Sequence, residues 1–169
     1  MENVGSGELD MPEQEMHTTA FWLTIQRGVL ANAATNPSER RDGVIGLANT
    51  LRTIAMLHLM CDGSDIGVAI GDNSQGTASV ETGFKRIKGQ NALSADTNPM
   101  GSDYEPNIFI YDGYPGGIGF SEPLYRLHFT MLEESKRLIE SCPCLEGCPS
   151  CVGPIGEVGV KGKEVALVI

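Results

Sequence analysis

The sequence predicts an α+β domain: a small β-sheet packed with two main helices and closed by a four-cysteine clamp near its C-terminus. Three observations predict it. Two short runs of β-branched and aromatic residues, "HTTAFWLTI" and "NIFIY", are far apart in the chain. Two longer segments carry apolar residues at spacings of three and four. Four of the five cysteines fall within the eleven residues "SCPCLEGCPSC", positions 141 to 151.

The totals fit this architecture. A chain of 169 residues with 41% hydrophobic residues suits one domain, or one and a half, with a real core. Residues 1–16 are polar and acidic and read as a lead-in or tail, with 17–169 as the domain. No apolar run approaches the roughly 18 residues that span a bilayer, and the first residues do not form a signal peptide. The expectation is a soluble, cytoplasmic protein with no membrane partner. Its formal net charge of −10 makes it a poor free-standing nucleic-acid binder, because neutralising phosphates needs Lys and Arg. The densest basic stretch is "FKRIK", with Lys85, Arg86 and Lys88. It reads first as a solvated strand or loop and second as a weak nucleic-acid patch.

In chain order, "HTTAFWLTI" reads as a strand over His17–Ile25. "TNPSERRDG" then supplies a turn, with Ser38 as the expected helix cap. From about Glu39 to Met60, Val44, Leu47, Ala48, Leu51, Ile54, Ala55 and His58 mark a helix. Met56, Leu57, Leu59 and Met60 make its second half apolar all round, the pattern of a central helix. His58 reads as a histidine in or beside the core with satisfied ring nitrogens.

"CDGSD" is a turn before a strand at Ile66–Ile70. Asp62 and Asp65 read as local backbone acceptors, the usual role of Asp in turns, ahead of a paired-acid site. Cys61 reads as a small buried hydrophobe. "GTASVETGFKRI" is a further strand candidate, and "GQNALSADTNPMGSDYEP" reads as a long loop.

Asn107–Tyr111 is a short apolar strand, followed by a flexible turn at Gly113, Gly116, Gly117 and Gly119. Ser121 is the expected cap of the next helix, with Pro123 in its first turn. Leu124, Leu127, Met131 and Leu138 form the expected buried stripe, flanked by His128, Leu132 and Ile139. Glu133, Glu134, Lys136, Arg137 and Glu140 form the wet face. The turn "YDGYPGGIG" has two readings: a tight structural turn, or a place where helix N-terminal amides meet a phosphate. In the second, Tyr114, Gly116 and Gly117 are the contacts. The chain contains no G-x-x-x-x-G-K-[ST], so it is not expected to hydrolyse ATP. A hydrolase built on Asp62, Asp65 and His58 or His128 is the weakest reading.

The cysteine spacing is Cys142-x-Cys144-x3-Cys148-x2-Cys151. Cys148-Pro149-Ser150-Cys151 is a knuckle that aims two sulfurs at one centre. Cys142 and Cys144 flank Pro143 on an extended segment, and Gly147 lets the chain double back. Four thiolates with no open position make a closed, structural site, for which one zinc ion is the leading occupant. A four-cysteine iron–sulfur cluster, disulfides and a redox dithiol at Cys148 and Cys151 are the alternatives.

Taken in order, "LHLMCDGSDIG", "IFIYDGYPGGIGFSEPLY" and "CPCLEGCPSCVG" resemble the MrfA-like zinc-binding domain at the C-terminus of certain DEAD/DEAH-box superfamily-2 helicases. The resemblance spans about residues 38 to 155, without the middle loop. It implies that Cys142, Cys144, Cys148 and Cys151 bind zinc. It also implies that the chain is the C-terminal piece of an ATP-dependent DNA helicase, or a subunit serving one. ATP would then be used only by the attached motor, and DNA would be reached through the parent protein. That family includes helicases of DNA-damage repair and relatives in anti-phage systems. The alternative from a different class is a zinc-stabilised protein–protein adaptor in a repair or defence complex, which the acidic balance favours. Many family members continue after the last cysteine with a further cysteine and a basic segment. This chain continues instead with "VGPIGEVGVKGKEVALVI", whose end reads as the start of a helix.

Overall fold

A computed structural model describes residues 15–72, 81–82 and 104–169. The first strand, β1 (Ala20–Thr24), leads through Gln26 into a short helix, α1 (Arg27–Ala33). Helix α2 (Pro37–Leu59) follows, then β2 (Ile66–Asp72), the two-residue β3 (Glu81–Thr82) and β4 (Pro106–Asp112). The chain finishes with α3 (Ser121–Ser141), a single turn α4 (Ile155–Val158) and α5 (Gly162–Val168). The sheet order is β1-β4-β2-β3, with every pair antiparallel. This is the α+β class the sequence predicts.

One sheet face is the floor of the core. β4 alternates buried and half-buried residues along its whole length, the signature of a strand with one packed face. Register places Phe21, Ile110 and Val68 in one inward row and Leu23, Ile108 and Ile70 in the next. These residues join Leu47, Leu51 and Ile54 of α2 and Leu124, Met131 and Ile139 of α3 in a single apolar cluster.

Helix α2 is central, as its pattern predicts, but its last turns are not buried all round. Leu57 is 69% exposed and Met60, in the left-handed conformation, is 92% exposed. Its N-terminus is capped by Asn36, whose side chain accepts the Ser38 amide at 3.0 Å; Ser38 lies inside the helix rather than capping it. Pro37 occupies the first turn, where its missing N–H leaves no bond unmade.

Other expected bounds shift for local reasons. The first strand is shorter than His17–Ile25, because Thr18 turns its hydroxyl to the carbonyls of Asp112 and Tyr114. At its far end Ile25 donates to Pro106 and α1 begins two residues later. Ser121 does not cap α3: the residue before the helix is Phe120, and no side chain caps it. The buried stripe of α3 runs through Leu124, Met131, Ser135 and Ile139, with Leu127 and Leu138 half-buried at its sides. β3 lies within the segment offered as a further strand candidate; the loop expected after it, apart from Tyr104 to Pro106, lies outside the described residues.

Helix α5 sits against α2 at a crossing made possible by glycine. A Cβ at Gly46 would meet Val152 at 3.1 Å and Ala166 at 3.4 Å. Small residues on both helices bring the C-terminal segment back over the N-terminal half of α2. No described helix is long and apolar enough to cross a membrane.

Candidate metal centre

The last turn of α3 delivers the first cysteine. Cys142 stands at the helix C-cap, its amide bonded to the Leu138 carbonyl at 3.2 Å, and its own backbone is extended. The extended geometry continues helix-free through Pro143, which biases its predecessor away from the helical region. Gly147, at φ +128°, then reverses the chain. A Cβ there would lie 2.8 Å from Val152 and 3.0 Å from the Gly153 carbonyl, so only glycine fits.

The second pair sits on a tight knuckle. The amides of Cys151 and Gly153 both donate to the Cys148 carbonyl at 3.0 Å. The knuckle is welded to α2: Thr50 donates its hydroxyl to the Cys151 carbonyl at 3.2 Å, and Asn49 its amide to the Val152 carbonyl at 3.0 Å. Cys151 and Val152 are core residues, while the other three cysteines are half-buried.

These turns bring the four sulfurs together. Sγ separations are 3.5 Å for Cys142–Cys144 and Cys142–Cys148, 3.4 Å for Cys144–Cys151 and 3.7 Å for Cys148–Cys151. All four sulfurs lie within 4.8 Å of one another. A zinc ion with Zn–S bonds of about 2.3 Å at the centre of a regular tetrahedron sets its sulfurs about 3.8 Å apart. The donor set and spacing therefore fit one such ion. A disulfide needs about 2.0 Å, and all five cysteines are free thiols. Inserting several irons among the sulfurs would force them well past mutual contact.

Electrostatics differ between the cysteines of the knuckle. The Ser150 N–H, followed by the Cys142 thiol, lowers the Cys148 thiol to about 7. Burial pushes Cys151 up to about 12, against the amides of Val152 and Cys148. Lys163 of α5 reaches the other limb. Its ammonium donates to the carbonyls of Cys142 at 2.7 Å and Cys144 at 2.6 Å, and lies 3.5 Å from the Cys144 sulfur. Sequence reasoning missed this contact, because nothing in "VKGKEV" marks which lysine faces inward.

The glycine turn stands at the opposite end of α3, roughly 30 Å away at 1.5 Å per helical residue. Its amides are occupied by the protein itself. The buried Asp112 carboxylate accepts from Ile118 at 2.5 Å, Gly119 at 2.8 Å and Phe120 at 3.4 Å through one oxygen. Gly116 donates to His17 and Gly117 to Tyr114. Tyr114 and Gly116 are exposed, and Gly117 is half-buried with φ +75°. The Tyr114 hydroxyl donates to Asp65 at 2.8 Å, joining this turn to the one after α2. Lys85, Arg86 and Lys88 lie outside the described residues.

The remaining candidates are engaged locally. Asp62 accepts the Ser64 amide at 3.1 Å, and Asp65 the Asp62 amide at 2.9 Å. His58 pairs with Glu134 across α2 and α3 at 2.7 Å. His128 stacks near Phe129 and Tyr125 on the outer side of α3. Cys61 packs half-buried against the core.

Fold and site together define an α+β domain whose C-terminal segment is gathered around a cluster of four cysteine sulfurs able to hold one metal ion. The family model of the MrfA Zn-binding domain matches residues 47–152, well over half of the chain, and the chain belongs to that family. Over 163 residues, 96% of its length, it is 36% identical to the uncharacterized ATP-dependent helicase YprA of Bacillus subtilis (strain 168). A shorter stretch of 45 residues is 44% identical to an uncharacterized protein of Methanocaldococcus jannaschii, covering 27% of this chain and 40% of that one. Among solved structures it is similar to the DUF1998 helicase MrfA bound to DNA, at 33% identity and a TM-score of 0.59 over 98% of this chain. The chain spans only 18% of the length of either helicase.

Proposed function

We propose that this chain is the zinc-binding accessory domain of an ATP-dependent superfamily-2 DNA helicase, with Cys142, Cys144, Cys148 and Cys151 holding one structural zinc. Residues 17–169 form the domain and 1–16 its acidic lead-in. The ATPase motor lies in the same or another chain, and this domain braces it or guides a displaced strand during unwinding or repair. Free thiols in a metal-ready array suit a reducing, cytoplasmic setting. The observation that carries the reading is that nearly the whole chain is similar to a helicase whose solved structure is bound to DNA.

Nucleic-acid contact at the glycine turn rests on the exposed Tyr114 and Gly116 and on Gly117, with Lys85, Arg86 and Lys88 as the densest basic stretch of the sequence. Because the turn's amides already serve Asp112, contact there uses side chains and surface shape rather than an amide cradle. The test is ATP-driven strand separation by the helicase carrying this domain, with and without Cys148→Ser. We expect the variant to lose zinc and unwinding together. A zinc-free variant that unwinds at the wild-type rate sinks the accessory role.

The formal net charge of −10 favours a second reading, a protein–protein adaptor in a repair or defence complex. Single-stranded oligonucleotide binding by the 169-residue chain separates the two. Binding with a clear salt slope supports direct DNA contact, and no binding at low salt supports the adaptor.

A further inference from the structure

The two limbs of the metal centre are supported in different ways. The Cys148–Cys151 knuckle is held by backbone bonds and by α2: the Cys151 and Gly153 amides donate to the Cys148 carbonyl, and Thr50 and Asn49 hold the carbonyls of Cys151 and Val152. The Cys142–Cys144 limb is extended around Pro143, which has no N–H to offer. What that limb receives instead is Lys163, which arrives from α5, twenty-one residues beyond Cys142.

A lysine ammonium has three donors and no acceptor. Lys163 directs them at three acceptors of one limb: the carbonyls of Cys142 and Cys144 and the Cys144 sulfur. It is half-buried there and in none of the ion pairs with acidic groups seen among the described residues. Four thiolates around a divalent ion carry two net negative charges, which a half-buried site holds poorly without a nearby cation. Helix α5 lies outside the family match at residues 47–152, yet it places this cation beside the sulfurs.

We propose that Lys163 is a positioning residue of the metal centre: it locks the Cys142–Cys144 limb and offsets thiolate charge, so that metal affinity depends on α5 being docked. The inference rests on the zinc reading above. Docking of α5 is itself specified by Gly43 and Gly46 on α2, so metal binding and the α2–α5 crossing form one coupled unit.

The test uses the full 169-residue chain, Zn2+ in competition with a chromophoric chelator, and the visible spectrum with Co2+. Lys163→Met should weaken Zn2+ binding by about 10–100-fold, the usual effect of losing a partner behind the ligands. It should also shift the thiolate-to-cobalt absorption while keeping a four-sulfur spectrum. Lys163→Arg should recover part of the affinity. Lys161→Met is the control: Lys161 pairs with Glu39 at 3.1 Å at the surface, so the change removes an α5 cation without touching a sulfur or the glycine crossing of α5 on α2. Its Zn2+ affinity should match the wild type. If Lys163→Met fails to fold, Lys163→Gln, which keeps a donor without the charge, is read in its place. Unchanged affinity in the Lys163 variants overturns the proposal, as does an equal loss in Lys161→Met, which would assign the effect to the loss of any α5 cation rather than to the contacts of Lys163. A wild-type chain that takes up neither metal overturns the zinc reading as well.

Discussion

Gly43 of α2 faces Val165 of α5 with no space for a methyl group: a Cβ at Gly43 would lie 2.3 Å from Val165 Cγ1 and 2.7 Å from its Cβ. The Val165 atoms are close to their own backbone, and the Ala166 amide is 3.2 Å away, so nothing nearby can swing aside. Gly43→Ala therefore sets a gain in helix propensity of up to about 1 kcal/mol against overpacking. Overpacking wins, with a net loss of about 1–3 kcal/mol in denaturant unfolding. Gly28 of α1, which has nothing within 4 Å, is the contrast. Gly28→Ala should be neutral or stabilising by up to about 1 kcal/mol. Equal effects at the two positions would contradict the close crossing.

The Asp112 carboxylate does for the glycine turn what a bound anion does at other helix starts. Three consecutive amides converge on one of its oxygens, and Thr19 adds a hydroxyl at 3.2 Å. Asp112→Ala strands those donors in a partly buried place and should cost about 3 kcal/mol, whereas Asp112→Asn keeps an acceptor oxygen and should cost about half as much. Chemical denaturation of the two variants checks the order. An alanine variant as stable as the asparagine one would mean that water replaces the carboxylate.

Sheet, helices and thiol cluster were legible because each has a local cause. Alternation marks the strands, three-and-four spacing marks α2 and α3, and Cys-x-Cys with Cys-x2-Cys marks a convergent turn. What was not legible depends on contacts distant in sequence. Asp112 looks like a turn residue in "YDGYP", yet strand alternation from Ile108 and Ile110 points it inward, and that parity was the available signal. Lys163 gave no such signal, because its role is set by the crossing of α5 over α2. Helix α1 has only Leu30 buried over its seven residues, too little periodicity to read. The apolar end of α2 overstated burial, since Leu57 and Met60 face outward where the chain leaves the core.

The link between Tyr114 and Asp65 makes a pH-dependent prediction. The Tyr114 hydroxyl, and then the Asp62 amide, hold the Asp65 carboxyl below its usual value of 3.8. A lowered folded value means that the contribution is complete above the unfolded value and is lost as pH falls through the folded one. The same bond, and the charge of Asp65, hold the Tyr114 hydroxyl above its usual 10.0. That contribution is complete below the unfolded value and is lost as pH rises through the folded one. Tyr114→Phe should therefore be less stable than the wild type between about pH 5 and 9, with the two curves converging at both extremes. A difference independent of pH would refute the link.

Metal removal should loosen the core rather than fray an end. Val152 is fully buried next to Cys151, and both carbonyls are held by α2 through Thr50 and Asn49. Once a chelator strips the site, the sulfurs no longer hold this segment. Amides at Cys151 and Gly153, and those of α5, should then lose hydrogen-exchange protection before the strands do. The unfolding free energy should drop, and the midpoint with it, by an amount that depends on free zinc, about 4 kcal/mol for zinc a thousandfold above its Kd. Binding should also weaken as pH falls, because metal ligation displaces thiol protons and burial makes Cys151 hold its own up to about 12. Cys148→Ser should reproduce the stripped state without chelator. The outcome that would sink this picture is a stripped chain with an unchanged midpoint and unchanged protection at Gly153, because the knuckle would then be held by α2 alone.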